Sequence, residues 1–234
     1  MDSKKKIIVA LDTIDMSKAL DLTQLIPSVG AFKLGLEYFC ANGPKGINKI
    51  SETGVKIFLD LKFHDIPNTV AGAIKASLEM EPYMMTVHLS GGYNMLHRTM
   101  EVVREYCTKK SLQKPLILGV SVLTSIDNSD FNSLGFIGKV EDQVIRLAKL
   151  AKYADLDGLV CSAKELKIVR KEMGQNFILV TPGIRPIGGD INDQKRIVTP
   201  AQAIYDGANF LVIGRPITDA IDPKLALNNI FLEM

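Results

Sequence analysis

The chain reads as an α/β protein, a closed (β/α)8 TIM barrel, and three observations carry that reading. Eight short runs rich in Val, Ile and Leu recur along its 234 residues. They are near-continuously apolar rather than alternating, as strands covered on both faces are. Segments at helical spacing separate them, and regular strand–helix alternation implies parallel pairing. Eight such units suit the ~250 residues typical of a closed barrel. The expected organisation is a single domain over residues 1–234. An open doubly wound sheet is the competing architecture. It would bring a glycine-rich turn after the first strand, and Leu11-Asp12-Thr13-Ile14-Asp15 holds no glycine.

The first strand is expected over residues 7–11 and the first helix over 16–26. Asp12 closes that strand, where it suits either a ligand contact or a cap on the next helix. The second strand, 31–36, carries Lys33 between Phe32 and Leu34. If those two face the helices, strand alternation turns Lys33 into the barrel. Otherwise Lys33 snorkels from a partly exposed strand. A helix over 41–53 leads to the third strand, 55–61, which runs into Asp60-Leu61-Lys62-Phe63-His64-Asp65-Ile66-Pro67-Asn68-Thr69. Asp60 and Lys62 lie two residues apart and so point the same way. A carboxylate and an ammonium together at a strand end cost desolvation unless paired or used. They form either a structural ion pair or the core of an active site.

A helix over 70–79 precedes the fourth strand, 84–89, with His88 at its end. His88 reads as a satisfied core histidine or as a catalyst, while His64 and His97 take no role from their spacing. A helix over 95–106 leads to the fifth strand, 116–123, followed by Thr124 and Ser125. Then come a helix over 142–151, a strand over 158–161, a helix over 164–172 and the seventh strand, 177–180. Thr181-Pro182-Gly183-Ile184-Arg185 continues from it. Residues 187–194 are glycine-bearing and polar, the composition of a loop that closes over a ligand or of an idle surface loop. A helix over 200–206, a strand over 210–213 ending in Gly214-Arg215, and a helix over 223–231 complete the barrel. Gly214 admits backbone amides close to a ligand, and Arg215 can fork onto phosphate oxygens. Barrels of this kind carry their chemistry at the C-terminal strand ends and often bind phosphate after strands 7 and 8. Residue physics alone thus yields a phosphate-binding barrel with a Lys/Asp-rich site.

Composition narrows the classes further. A net charge of +2 is too small for a polyanion-binding surface, so no nucleic-acid partner is expected. Cys40, Cys107 and Cys161 are far apart and odd in number, which supports neither a disulfide framework nor a zinc site. No metal is expected, because no two histidines sit at ligand spacing and Lys62 places a positive charge among the carboxylates. The basic start is followed by an apolar run that stops at Asp12, too short for a signal peptide. No stretch approaches the ~20 apolar residues that span a membrane. A soluble, cytoplasmic protein is expected, with no membrane partner.

Taken together, these residues resemble the bacterial-type orotidine 5′-phosphate decarboxylase family. The resemblance covers nearly the whole chain. It rests on Val9-Ala10-Leu11-Asp12, on Lys33 in Lys-Leu-Gly-Leu-Glu, and on residues 60–69. It continues through Leu123-Thr124-Ser125, residues 181–185, Gln194-Lys195-Arg196 and Gly214-Arg215-Pro216. The Asp-x-Lys-x-x-Asp core is shared with relatives acting on sugar phosphates, a keto-gulonate phosphate decarboxylase and a hexulose phosphate synthase. Those relatives lack the continuation Ile66-Pro67-Asn68-Thr69. Two departures stand out: His88-Leu89-Ser90-Gly91-Gly92 replaces the commoner His-Ala-Ala-Gly-Gly, and extra residues lie between Gly188 and Gln194.

The resemblance implies cofactor-free decarboxylation of orotidine 5′-monophosphate to uridine 5′-monophosphate in pyrimidine biosynthesis. Lys62 would donate the proton to C6, flanked and held charged by Asp60 and Asp65. Asp60 would lie against the substrate carboxylate, Lys33 would order the charges while contacting the ribose, and Asp12 would bind a ribose hydroxyl. Asp65 and Thr69 would reach into the neighbouring subunit's site, which implies a homodimer. Thr124 would contact the pyrimidine amide, and Arg185, Gln194, Gly214 and Arg215 the phosphate. Ile66 and Pro182 complete the substrate-binding set. The alternatives are a magnesium-dependent sugar-phosphate relative of the keto-gulonate type and a catalytically silent nucleotide-binding barrel. A silent barrel would be expected to lose one of Lys33, Asp60, Lys62 or Asp65, and all four are present.

Overall fold

The computed structural model describes residues 3–186 and 198–234. Eight parallel strands close into a barrel in sequence order, with the last paired to the first. They are β1 (Ile7–Ala10), β2 (Ala31–Gly35), β3 (Ile57–Phe63), β4 (Met84–His88), β5 (Leu116–Val120), β6 (Gly158–Val160), β7 (Ile178–Thr181) and β8 (Phe210–Ile213). Around them run α1 (Met16–Leu25), α2 (Leu36–Ser51), α3 (Pro67–Leu78), α4 (Gly92–Lys110), α5 (Asn128–Ser133), α6 (Val140–Tyr153), α7 (Leu166–Met173), α8 (Pro200–Tyr205), α9 (Arg215–Thr218) and α10 (Pro223–Leu232). Among the described residues no helix is long and apolar enough to cross a membrane.

Strand alternation divides the apolar residues into two layers. Ile8, Ala31, Phe58, Met84, Leu118, Val180, Phe210 and Val212 fill the barrel interior. Their neighbours Ile7, Val9, Phe32, Leu34, Ile57 and Leu59 face outward into a second layer shared with the helices. Ala10 pairs with Lys33, Lys33 with Phe58, and Gly35 with Asp60. Lys33 therefore shares the inward parity of Ala31, and the snorkelling alternative falls away. Because the interior below is filled with hydrocarbon, the inward-facing polar side chains collect at one end of the barrel.

Several boundaries differ from the expected ones, each for a local reason. The second helix starts directly after Gly35, and Gly43 (φ 58°) followed by Pro44 breaks and restarts it. Periodicity recovers only the part after that break. The third strand continues through Lys62 to Phe63, because β4 still pairs with it after a register shift. The fifth strand stops at Val120 instead of continuing to Leu123. Helices α5 and α9 are too short for a 3.6-residue period to register. Asp15, not Asp12, caps α1, accepting from the Ser17 and Lys18 amides at 2.8 and 3.1 Å. Asp12 is left for another partner.

One buried cation ties the wall between α7 and β8. The Arg170 guanidinium donates to the carbonyls of Gly174 (2.7 Å), Phe177 (2.8 Å) and Gly207 (2.5 Å) and to Asn209 Oδ1 (2.8 Å). Asn209 Oδ1 also accepts the Leu179 amide at 2.8 Å, so the network reaches β7. Only a planar fork with several donors serves four acceptors at once. Arg170→Met should lower the unfolding free energy by roughly 3 kcal/mol, since each orphaned acceptor costs about 1–3 kcal/mol. Urea denaturation followed by circular dichroism measures this, and Arg170→Lys should recover little of the loss.

Candidate active site

The site grows from the ends of three neighbouring strands. Asp60 sits on the inward parity of β3 with only 8% of its surface exposed. A buried carboxylate is costly unless its oxygens are occupied. Asp60 Oδ2 accepts from Lys62 Nζ at 2.9 Å and lies 3.8 Å from Lys33 Nζ. Lys33 Nζ in turn donates to Asp12 Oδ1 at 2.9 Å. Charges thus alternate along Asp12, Lys33, Asp60 and Lys62, each ammonium meeting a carboxylate. Side-chain exposure rises outward from Asp60 (11%) and Lys33 (13%) to Lys62 (33%) and Asp12 (58%). The chain of charges is therefore buried at its centre and more exposed at both ends.

The backbone beneath Lys62 is irregular. Leu59 pairs with Met85 and Phe63 with Val87, four steps along β3 against two along β4. Lys62 takes φ +50°, a left-handed conformation that a non-glycine residue adopts at a cost of about 1–3 kcal/mol. Its amide donates to Thr86 Oγ1 at 2.9 Å. The Thr86 hydroxyl donates to Asp60 Oδ1, also at 2.9 Å. Sequence reasoning missed Thr86. The available signal was a hydroxyl at an inward position of an otherwise apolar strand. It missed Gly35 too: a Cβ there would lie 3.1 Å from Lys33 Nζ and 3.6 Å from Asp12 Oδ1. Gly35 leaves the room in which that ion pair forms.

Lys33, Asp60 and Lys62 face a cavity of about 220 Å³. Phe58, Val120, Val122, Val160 and Val212 supply apolar walls, and Leu123, Thr124 and Pro182 line it from the loops after β5 and β7. Low-dielectric walls strengthen the field of the charges they enclose. Cys161 also contacts the cavity, but burial, with Glu165 adding to it, pushes its thiol far above the usual range. Such a shift disfavours the reactive thiolate. A second cavity, about 230 Å³, lies at the opposite end of the barrel beside Lys56, Tyr83 and Lys114. There Lys114 is held by both carboxylate oxygens of Asp157, at 2.7 and 2.6 Å, and braces the structure. Among the described residues no cluster of three or more His, Cys, Asp or Glu could hold a metal ion.

The remaining expected residues fall into groups. Gly214 closes the ring of strand ends, its Cβ position 3.4 Å from Ala10 Cβ and 3.9 Å from Asp12 Oδ2. Arg215 is exposed at the start of α9. Arg185 is buried and donates to the Ile184 carbonyl at 3.0 Å, while Gln194 lies outside the described residues. Asp65, Ile66 and Thr69 are exposed at the β3–α3 junction and do not line the cavity. Asp65 accepts its neighbour's amide, Ile66 N, at 2.6 Å. Within one chain Lys62 pairs with Asp60, while Asp65 lies beyond the end of β3 and is exposed. His88 behaves as a satisfied histidine. Its Nδ1 lies 2.7 Å from Ser90 Oγ and its ring stacks on His64 at 5.1 Å. Burial first, then His64 and Lys62, lowers its pKa. Ser90, one of the two residues departing from the common motif, supplies that contact. Leu89, the other, is buried against Gly119.

Comparison with known proteins agrees with this geometry. Residues 5–230 match the family described as orotidine 5′-phosphate decarboxylase / HUMPS. The chain is 49% identical over 225 residues to the orotidine 5′-phosphate decarboxylase of Sphingopyxis alaskensis, covering 96% of each. It is 46% identical to that of Moorella thermoacetica, covering 100% of this chain and 94% of the relative. The crystal structure of orotidine 5′-phosphate decarboxylase from Lactobacillus acidophilus superposes with a TM-score of 0.84 at 36% identity, with 97% of each chain covered. Barrel, charge network and sequence together place this chain in the orotidine 5′-phosphate decarboxylase / HUMPS family.

Proposed function

We propose that the chain decarboxylates orotidine 5′-monophosphate to uridine 5′-monophosphate, a step of pyrimidine biosynthesis, without a cofactor. The observation that carries this reading is the Lys62 ammonium, held 2.9 Å from Asp60 at the end of an apolar-walled cavity. Loss of carbon dioxide from C6 leaves an sp² carbanion that no adjacent π system delocalises. Decarboxylases of other kinds recruit an organic electron sink for such charge. Here a fixed cation can take that role. Lys62 faces the developing carbanion, stabilises it, and delivers a proton from Nζ to C6.

The magnitudes apportion the work. General acid catalysis supplies ~10²–10⁴-fold, or roughly 3–5 kcal/mol. Very slow reactions demand about 20 kcal/mol or more. The balance falls to charges already in position before substrate arrives, and to binding energy from the phosphate that closes the site. Asp60 contributes in two ways: it holds Lys62 in place, and it lies where the departing carboxylate would sit. Thr124 and Pro182 lie where a pyrimidine ring entering between β5 and β7 would meet them. On this reading the base enters the cavity, and Asp12 at the mouth binds a ribose hydroxyl. Arg185, Gln194, Gly214 and Arg215 complete the phosphate contacts on this reading.

The same reading makes the protein a cytoplasmic homodimer of single-domain subunits, each supplying Asp65, Ile66 and Thr69 to its partner's site. Its support is the outward exposure of these residues, Ile66 at 67%, beside a cavity that they do not line.

Loss of orotidylate absorbance on adding purified protein in excess EDTA is the expected result. No turnover there, with turnover of a sugar phosphate on adding magnesium, would overturn the proposal in favour of the sugar-phosphate relatives. Lys62→Ala should reduce turnover by ~10²-fold at least, the low end for a lost general acid, while uridine 5′-monophosphate still binds in titration calorimetry. Mixing inactive Lys62→Ala with inactive Asp65→Ala should restore activity, because a mixed dimer has one site free of both changes. No recovery on mixing, under conditions where subunits exchange, argues against shared sites.

A further inference from the structure

We propose that Thr86 is a positioning residue for the decarboxylation, setting the rotamer of Asp60 and the backbone of Lys62 with one hydroxyl. This rests on the functional reading above and adds a residue to it. Thr86 is fully buried on the inward face of β4 and does not line the cavity. It therefore acts through other residues and not on substrate.

A threonine hydroxyl has a single proton. Thr86 Oγ1 accepts the Lys62 amide, so that proton is free for Asp60 Oδ1, and both bonds measure 2.9 Å. With Oδ1 so occupied, the carboxylate cannot rotate without breaking a bond, and Oδ2 is turned toward Lys62 Nζ and Lys33 Nζ. At the other end, the Lys62 amide sits within the irregular pairing between Leu59 and Phe63. The bond from that amide to the Thr86 hydroxyl secures the left-handed turn at Lys62. One side chain from the neighbouring strand thus links the backbone that aims the ammonium to the carboxylate that receives it.

Removing the hydroxyl orphans a part-buried amide and frees one carboxylate oxygen. Relief is available by relaxing the left-handed residue, which swings Nζ away. A displacement on the order of 1 Å can cost ~10²-fold in rate. Thr86→Val keeps the branched shape and size without the hydroxyl, and Thr86→Ser keeps the hydroxyl without the methyl.

The test measures kcat and KM for orotidine 5′-monophosphate, affinity for uridine 5′-monophosphate, and the crystal structure of Thr86→Val. The expected result is a kcat lower by ~10²-fold in Thr86→Val, product affinity within a few-fold of wild type, and Thr86→Ser close to wild type. The Thr86→Val structure should show Lys62 out of the left-handed region or its Nζ parted from Asp60. If Thr86→Val does not fold, Thr86→Ala replaces it in the same comparison with Thr86→Ser. Wild-type kcat in the hydroxyl-free variant, or unchanged Lys62 geometry, overturns the proposal. So does a parallel loss of kcat and product affinity that Thr86→Ser fails to rescue, which marks a merely structural role. An active wild type with an unaffected Thr86→Val sinks this proposal alone, whereas an inactive wild type sinks the functional reading as well.

Discussion

The Asp60 carboxylate at the end of β3 is the interaction on which the rest of the site depends. Buried in a hydrocarbon barrel, it would be untenable as an isolated charge. It is stable there because every approach to it is answered: Lys62 and Lys33 on Oδ2, Thr86 on Oδ1. The reciprocal holds for Lys33, which reaches into the interior and finds Asp60 on one side and Asp12 on the other. Removing Asp60 leaves Lys33 and Lys62 without the carboxylate they share, and removing either lysine leaves buried Asp60 with one cation fewer. That mutual dependence is also what fixes the positions of its members before any ligand arrives.

Chemistry of the proposed kind requires such preorganisation. A flexible lysine in water reorganises as charge develops, whereas one already paired, walled by valines and turned into place does not. The strain at Lys62 has the same logic. A left-handed residue is tolerated when its surroundings over-determine it, and here a cross-strand hydroxyl and an ion pair hold its two ends. The barrel makes this possible by placing β3 and β4 side by side, so that Thr86, 24 residues from Lys62 along the chain, lies within hydrogen-bonding distance of it.

Much of this was legible in the sequence. The strand–helix alternation, the closed barrel and the inward parity of Lys33 all follow from near-neighbour patterns. Asp60 and Lys62 share a face because they are two residues apart. The motif residues at the strand ends pointed to the family that the comparisons identify. Other features depend on contacts between distant segments. Which of Asp12 and Asp15 caps α1, and which meets Lys33, is undecidable from a string holding both. Gly35 matters only because the Lys33 and Asp12 side chains converge over it. That Lys62 pairs with Asp60 of its own chain, while Asp65 accepts the Ile66 amide, is visible only in the folded chain.

The sequence by itself therefore determined the architecture, the end of the barrel where charge gathers, and the residue types that gather there. Those properties are written in periodicity, which a strand or helix imposes locally whatever surrounds it. The tertiary structure decided the register between β3 and β4, the left-handed turn at Lys62, the hydroxyl of Thr86 that joins them, and the outward course of Asp65. These hinge on cross-strand hydrogen bonds and on the desolvation of paired charges, and both come into existence only when the barrel closes.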